Sequence, residues 1–261
     1  MEQLRSAERE RFISKRVVVK IGSSTITGGL ESPDKEFIEN IASQISVLKN
    51  EGLDIYVVSS GAVACGRSFV QDYDAGNLAH RQIAAAIGQP LLMSYWAQGL
   101  SSRNLVPAQI LVTDQTLRQA HQLLRQMQPH QVPIINANDA VSDFEMRQWM
   151  QISGDNDVLA GQVALETGCD TVYLLTDVSG VLDNQGQLIS AIDLQYPLPR
   201  IEFNGTSKTG TGGMASKHNV ALNLAQQNIR TIIGNGREPN LVINGSKGLT
   251  VGTTYLPYLH E

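Results

Sequence analysis

The chain has 261 residues, 42% hydrophobic and 17% charged, a balance that supplies the core of one large globular domain and excludes disorder. A formal net charge of −5 speaks against nucleic-acid binding, which needs a basic face to neutralise phosphates; positive charge for an anionic ligand must therefore be local. No apolar run is long enough to span a bilayer, Met1 to Ser14 lacks the apolar stretch of a signal peptide, and Cys65 and Cys169 have no metal-ligand or CxxC spacing. The expectation is a cytoplasmic protein, with no membrane partner and with two buried thiols. With no linker or internal repeat, residues 16–261 read as one domain behind an N-terminal extension, 1–15.

Arg16 to Ile21 is a β-branched run ending at Gly22-Ser23-Ser24, which predicts a buried strand with Lys20 almost at its carboxyl end. A lysine there must pair or reach a cavity, because an unpaired charge in a core is costly. Ser32-Pro33-Asp34 predicts a helix start, with Ser32 as N-cap and Pro33 at the first helical position. Ile38, Ile41, Ile45 and Leu48 give that helix one apolar face, and Gly52 suits its end. Asp54 to Ser59 is a second strand running into Ser60-Gly61-Ala62, which puts small polar groups where open α/β sheets bind ligands. Gln82 to Leu100 has a helical pattern that Gly88-Gln89-Pro90 is expected to interrupt, with Tyr95 and Trp96 as packing residues. Leu105 to Val112, Gln115 to Met127 and Val132 to Asn136 follow as strand, helix and strand. The last ends in Asn136-Ala137-Asn138-Asp139, which reads as a turn or as ligand-facing groups at the sheet edge.

Gly154-Asp155-Asn156-Asp157 precedes a helical stretch, Val158 to Glu166, closed by Gly168. It holds more acid and amide groups than a cap requires, so at least one is available for a lysine, a metal or a substrate amine. Thr171 to Thr176 is a fifth strand leading to Asp177, followed by a less regular stretch with Pro197 and Pro199. Gly210-Thr211-Gly212-Gly213-Met214-Ala215-Ser216-Lys217 opens a helix running to about Gln227: either a flexible loop or a phosphate cradle of glycine backbone, helix amides and a lysine. Thr231 to Ile233 is a sixth strand, Pro239 to Asn244 a short helix and Gly248 to Tyr255 a final extended segment. Strands alternating with helices predict an α/β fold, a three-layer αβα sandwich around a mainly parallel sheet. There is no GxxxxGK[ST] loop, no GxGxxG after the first strand, and no metal-site spacing among the histidines.

Val19-Lys20-Ile21-Gly22-Ser23-Ser24, Ser59-Ser60-Gly61-Ala62, Ile135 to Val141, Gly154 to Asp157, Leu175-Thr176-Asp177 and Gly210 to Lys217 occur in the order seen in glutamate 5-kinases, within the amino acid kinase superfamily. The resemblance covers nearly the whole chain. It implies the amino acid kinase fold and transfer of the ATP γ-phosphoryl group, with Mg²⁺, to the side-chain carboxylate of L-glutamate, the first step towards proline. By the resemblance, Lys20 and Lys217 contact the transferring phosphate and Asp157 orients both lysines. Thr176 and Asp177, with Thr211, Gly212, Gly213, Met214, Ala215, Ser216 and Lys217, hold the nucleotide. Ser60, Asp139 and Asn156 match the glutamate-binding positions. A homo-oligomer, dimer or tetramer, is the family expectation.

The sequence departs from the family in the acceptor half. Ala137 stands where a glutamate is usual, the expected arginine and Asn-Ala pattern is absent from 115–131, and the spacing between Asp139 and Gly154 is longer. Ser216 replaces the commoner threonine and keeps the hydroxyl. The chain stops soon after Val251-Gly252-Thr253, which implies a kinase domain without the C-terminal PUA domain of many members. A relative phosphorylating a different small acid, and a non-catalytic sensor of nucleotide or amino acid, remain the alternatives.

Overall fold

β-branched runs that are apolar on both faces can only form the middle of a covered sheet, and that is where they lie. A computed structural model describes residues 12–113, 116–141, 156–201, 203 and 213–257. In chain order its elements are β1 (Arg16–Ile21), α1 (Ser23–Thr27), α2 (Lys35–Asn50), β2 (Asp54–Ser59), α3 (Ala62–Gly66), α4 (Leu78–Ser101), β3 (Val106–Val112), α5 (Leu117–Arg125), β4 (Gln131–Ala137), α6 (Asn156–Thr167), β5 (Thr171–Thr176), β6 (Ala191–Asp193), α7 (Met214–Gln226), β7 (Arg230–Asn235), α8 (Leu241–Ser246) and β8 (Thr253–Leu256). Among the described residues the sheet has eight strands in the order β3-β4-β2-β1-β5-β7-β8-β6. Every neighbouring pair is parallel except β7 and β8.

The alternation of side chains along β1 sorts the molecule into layers. Val17, Val19 and Ile21 face α2, α4 and α8, meeting Ile38, Ile41, Ile45, Leu92, Trp96 and Leu241. Val18 faces the opposite layer, α5, α6 and α7, with Leu124, Leu159, Val163 and Leu224. Lys20 is two residues from Val18, and the same alternation sends it to the α6 and α7 side. That single parity decides which helices can answer its charge.

Three local expectations are corrected. Asp34, not Ser32, caps α2: its carboxylate accepts from Phe37 N at 3.1 Å and also pairs with Arg237 at 2.7 Å, a second partner that fixes it. Helix α4 runs through Pro90 without a break. Pro90 and Ala86, whose carbonyl loses its helical donor, are both exposed, so water can satisfy that carbonyl. Gly88 is a packing residue rather than a breaker, since a Cβ on Gly88 or on Gly66 would fall on backbone of the other helix, α3 against α4. The stretch read as irregular contains the short strand β6, and the final extended segment becomes β8, antiparallel to β7 and parallel to β6.

Candidate active site

Strands β1, β2, β4 and β5 are mutually parallel neighbours, so their carboxyl ends form one edge. That edge carries Lys20, Ser60, Asn136 and the pair Thr176-Asp177. Two helices begin over it: α6 with Asn156 and Asp157 as its first residues, and α7 with Lys217 in its first turn.

At the centre is a buried triad of charges. Lys20 Nζ lies 2.6 Å from Asp157 Oδ1 and Lys217 Nζ 3.1 Å from Asp157 Oδ2. Lys20, Asp157 and Lys217 are 1%, 0% and 7% exposed, so none of these charges could persist without its partners. Burial alone would raise the Asp157 pKa, but the fields of Lys20 and then Lys217, with their hydrogen bonds, outweigh it and hold the carboxyl below its ordinary range. Its place in the first turn of α6 adds the favourable end of the helix dipole. Two ammonium groups share the one carboxylate of Asp157.

Asn156 builds the second half. Its Nδ2 donates to Ser60 Oγ at 2.5 Å and to Asn136 Oδ1 at 3.1 Å. Asn136 Oδ1 also accepts from Ala137 N, while Asn136 Nδ2 donates to Gln89 Oε1 at 3.0 Å. Ser60 is held from the other side, its N–H bonded to Ile21 O at 3.0 Å. The following Gly61 has φ 110°, a conformation closed to other residues, and a Cβ there would meet Ile26 at 2.8 Å. Asp139 stands two residues beyond β4, half-buried, its amide bonded to Ala137 O.

On the β5 side, Thr176 Oγ1 donates to Asp177 Oδ1 at 3.0 Å and Thr176 O accepts from Gly236 N at 2.9 Å, which ties the ends of β5 and β7 together. Helix α7 starts at Gly213, whose carbonyl receives Ser216 N and Lys217 N, with no side-chain cap. Met214, Ala215 and Ser216 therefore form the first turn. Gly210, Thr211 and Gly212, like Gly154 and Asp155, lie outside the described residues.

Three residues of this region were not singled out in the sequence. Gln89, read as part of a helix break, is buried and fixes Asn136. Trp96, read as packing only, also donates its indole N–H to Ser59 Oγ at 3.1 Å. His218, next to Lys217, is buried with Nδ1 2.6 Å from Tyr255 Oη, and burial lowers its pKa. A polar residue on the buried face of a helix was the available signal in each case except Trp96, for which there was none. Both cysteines are buried thiols, with Cys65 pushed up to about 11 and Cys169 to about 12 by burial. Among the described residues no group of three or more His, Cys, Asp or Glu could hold a metal ion, and no helix is long and apolar enough to cross a membrane.

The sequence model of the amino acid kinase family matches residues 15–235, the stretch that carries β1 to β7 and the lysine–aspartate–lysine triad. The chain belongs to that family. Within it, the chain is similar to glutamate 5-kinases: 33% identical to that of Trichlorobacter lovleyi over 93% of this chain and 67% of that one, and 32% identical to that of Dehalococcoides mccartyi over 95% and 70%. The glutamate 5-kinase of Shewanella oneidensis is 32% identical over 92% of this chain and 68% of its own.

Proposed function

We propose that this protein transfers the γ-phosphoryl group of ATP to the side-chain carboxylate of L-glutamate, giving L-glutamyl 5-phosphate, the first step towards proline. The observation that carries the reading is the buried triad Lys20–Asp157–Lys217 at the sheet edge, in a chain one third identical to glutamate 5-kinases. A carboxylate is already nucleophilic and needs no general base. The physical problem is to bring two anions together and to stabilise charge on the phosphoryl group as it moves. Lys20 and Lys217 meet that demand from fixed positions. Asp157 keeps both of them charged and aimed, so little reorganisation is needed during transfer.

The nucleotide half of the site is Thr176, Asp177 and the segment Thr211 to Lys217, with the first amides of α7 directed at phosphate oxygens. The acceptor half is Ser60, Asn156 and Asp139. Ser60 Oγ accepts from Asn156 and keeps its own proton to donate, which suits a carboxylate, while Asp139 suits the substrate ammonium. Magnesium would enter with the nucleotide, since both oxygens of Asp157 are engaged by lysines and the triad offers it no ligand. When bound it neutralises phosphate charge. Residues 16–261 act as one kinase domain, and the reading keeps the expectation of a cytoplasmic homo-oligomer.

Incubation with ATP, Mg²⁺, glutamate and hydroxylamine is expected to yield γ-glutamyl hydroxamate, with Lys217→Ala abolishing it. A folded, ATP-binding protein that makes no hydroxamate but releases ADP with another small acid would overturn the choice of glutamate. ATP binding without turnover on any acid would make the chain a sensor.

A further inference from the structure

The sheet has a cavity at its other edge. Arg16 opens β1, Asp54 to Tyr56 open β2, Gln131 and Pro133 open β4, and Lys49 and Arg125 stand in the last turns of α2 and α5; together with Met127 these line a cavity of about 160 Å³. Because the strands are parallel, this cavity and the triad are at opposite ends of β1 and β2. We infer that the cavity binds a small dianion, a phosphate or a short dicarboxylate, at a site separate from the phosphoryl-transfer centre.

Charge is the first argument. Arg16 is matched by Asp54 at 3.1 Å and also donates to Thr167 O at 2.7 Å. Among the described residues neither Lys49 nor Arg125 has an ion-pair partner, so the cavity carries two cations in excess. The plain structural role of these two residues would be to offset the helix C-termini on which they sit. Each terminus is equivalent to roughly half a negative charge, so the two together consume about one of the two positive charges. About one positive charge remains for a ligand.

The second argument is desolvation. Lys49 is half-buried and its pKa is lowered, first by burial, with Asp54 opposing, so its ammonium is held in a place that disfavours its charge. Tyr56 projects to the same face as Arg16 and is 5% exposed, and its hydroxyl has no hydrogen-bond partner among the described residues. An anion would satisfy both groups at once. The third argument is size. Drug-sized pockets run to roughly 300–1,000 Å³, whereas this one has room for about five waters, which fits an orthophosphate or a four-carbon diacid and is too small to enclose a nucleotide.

The test is calorimetric titration of the full chain with inorganic phosphate and, separately, with succinate. We expect one site that persists in Lys217→Ala, which disables any phosphate subsite of the triad, and that weakens at least about tenfold in Lys49→Gln/Arg125→Gln. Tyr56→Phe removes only a hydroxyl and is expected to weaken binding by a smaller factor, which keeps the proposal testable if the double variant folds poorly. Tighter phosphate identifies a tetrahedral oxyanion site and tighter succinate a dicarboxylate site. Binding abolished by Lys217→Ala, binding untouched by Lys49→Gln/Arg125→Gln and by Tyr56→Phe, or no binding of either anion at millimolar concentration overturns it. None of these results depends on glutamate being the acceptor.

Discussion

Replacing Asp157 by Asn tests the triad most directly, because the side chain keeps its shape and loses only its charge. Lys20 and Lys217 would then face each other in a place where they are 1% and 7% exposed, with no carboxylate at 2.6 and 3.1 Å to answer them. Removing one partner of a buried ion pair costs about 3–5 kcal/mol. At about 2–4 °C per kcal/mol for a domain near this size, the melting temperature is expected to fall by roughly 6–20 °C. Activity is expected to fall by about 10²–10³, the usual cost of losing one electrostatic partner in a transition state. Adding Lys20→Met to Asp157→Asn removes one of the two buried cations that lost Asp157, so stability should recover in part while activity does not. The pH dependence follows from the sign of the shift. The folded pKa of Asp157 lies below its ordinary 3.8, so its stabilisation is present above that value and is lost as pH falls through the lower folded value. The gap in melting temperature between wild type and Asp157→Asn should hold through neutral pH and close only in acid below about pH 4. Differential scanning fluorimetry across pH, with the hydroxamate assay beside it, reads both quantities. A variant melting within a degree of wild type and turning over within a factor of two would refute the triad as the organising charge.

Gln89→Leu leaves Asn136 Nδ2 without its acceptor; we expect the KM for glutamate to rise about tenfold and the KM for ATP to stay within twofold, measured by steady-state kinetics. Gly88→Ala forces a methyl onto the backbone of α3, and a loss of about 1–3 kcal/mol or more is expected in chemical denaturation. Cys65 and Cys169, buried and pushed up to about 11 and 12, should not react with a thiol reagent at pH 8 until the protein is denatured, when both should titrate.

The strands were legible because their signals are local: Val17 to Lys20 is a β-branched run that can only be a covered strand, and a lysine inside it demands a partner. That Asp157 and Lys217 join it came from the family resemblance, since no local pattern links residues so far apart in the chain. The acceptor half was less legible. Asn136 looks like a turn residue, and its partners Gln89 and Asn156 are 47 and 20 positions away, so nothing in the local pattern reveals the network. Pro90 misled because a proline's cost depends on whether the carbonyl it orphans is dry or wet, and only the packing of Gly88 against α3 decides which face is wet. Ser32 was a credible cap from its neighbours alone; Arg237, two hundred residues on, fixes Asp34 in that place instead. The antiparallel turn into β8 was hidden because an extended segment has the same composition in either direction.

The triad also bears on how the molecule folds. Asp157 and Lys217 are 60 residues apart in sequence, Lys20 is further still, and the strand that carries Lys20 is flanked by β2 on one side and β5 on the other. Only a chain that has brought β1, α6 and α7 together seats both lysines on Asp157, so the complete triad forms late in assembly. Pairings of such separation place a chain among the slower folders. Regain of turnover after dilution from denaturant should therefore lag behind regain of helical signal, with enzymatic competence arriving as the last event of assembly.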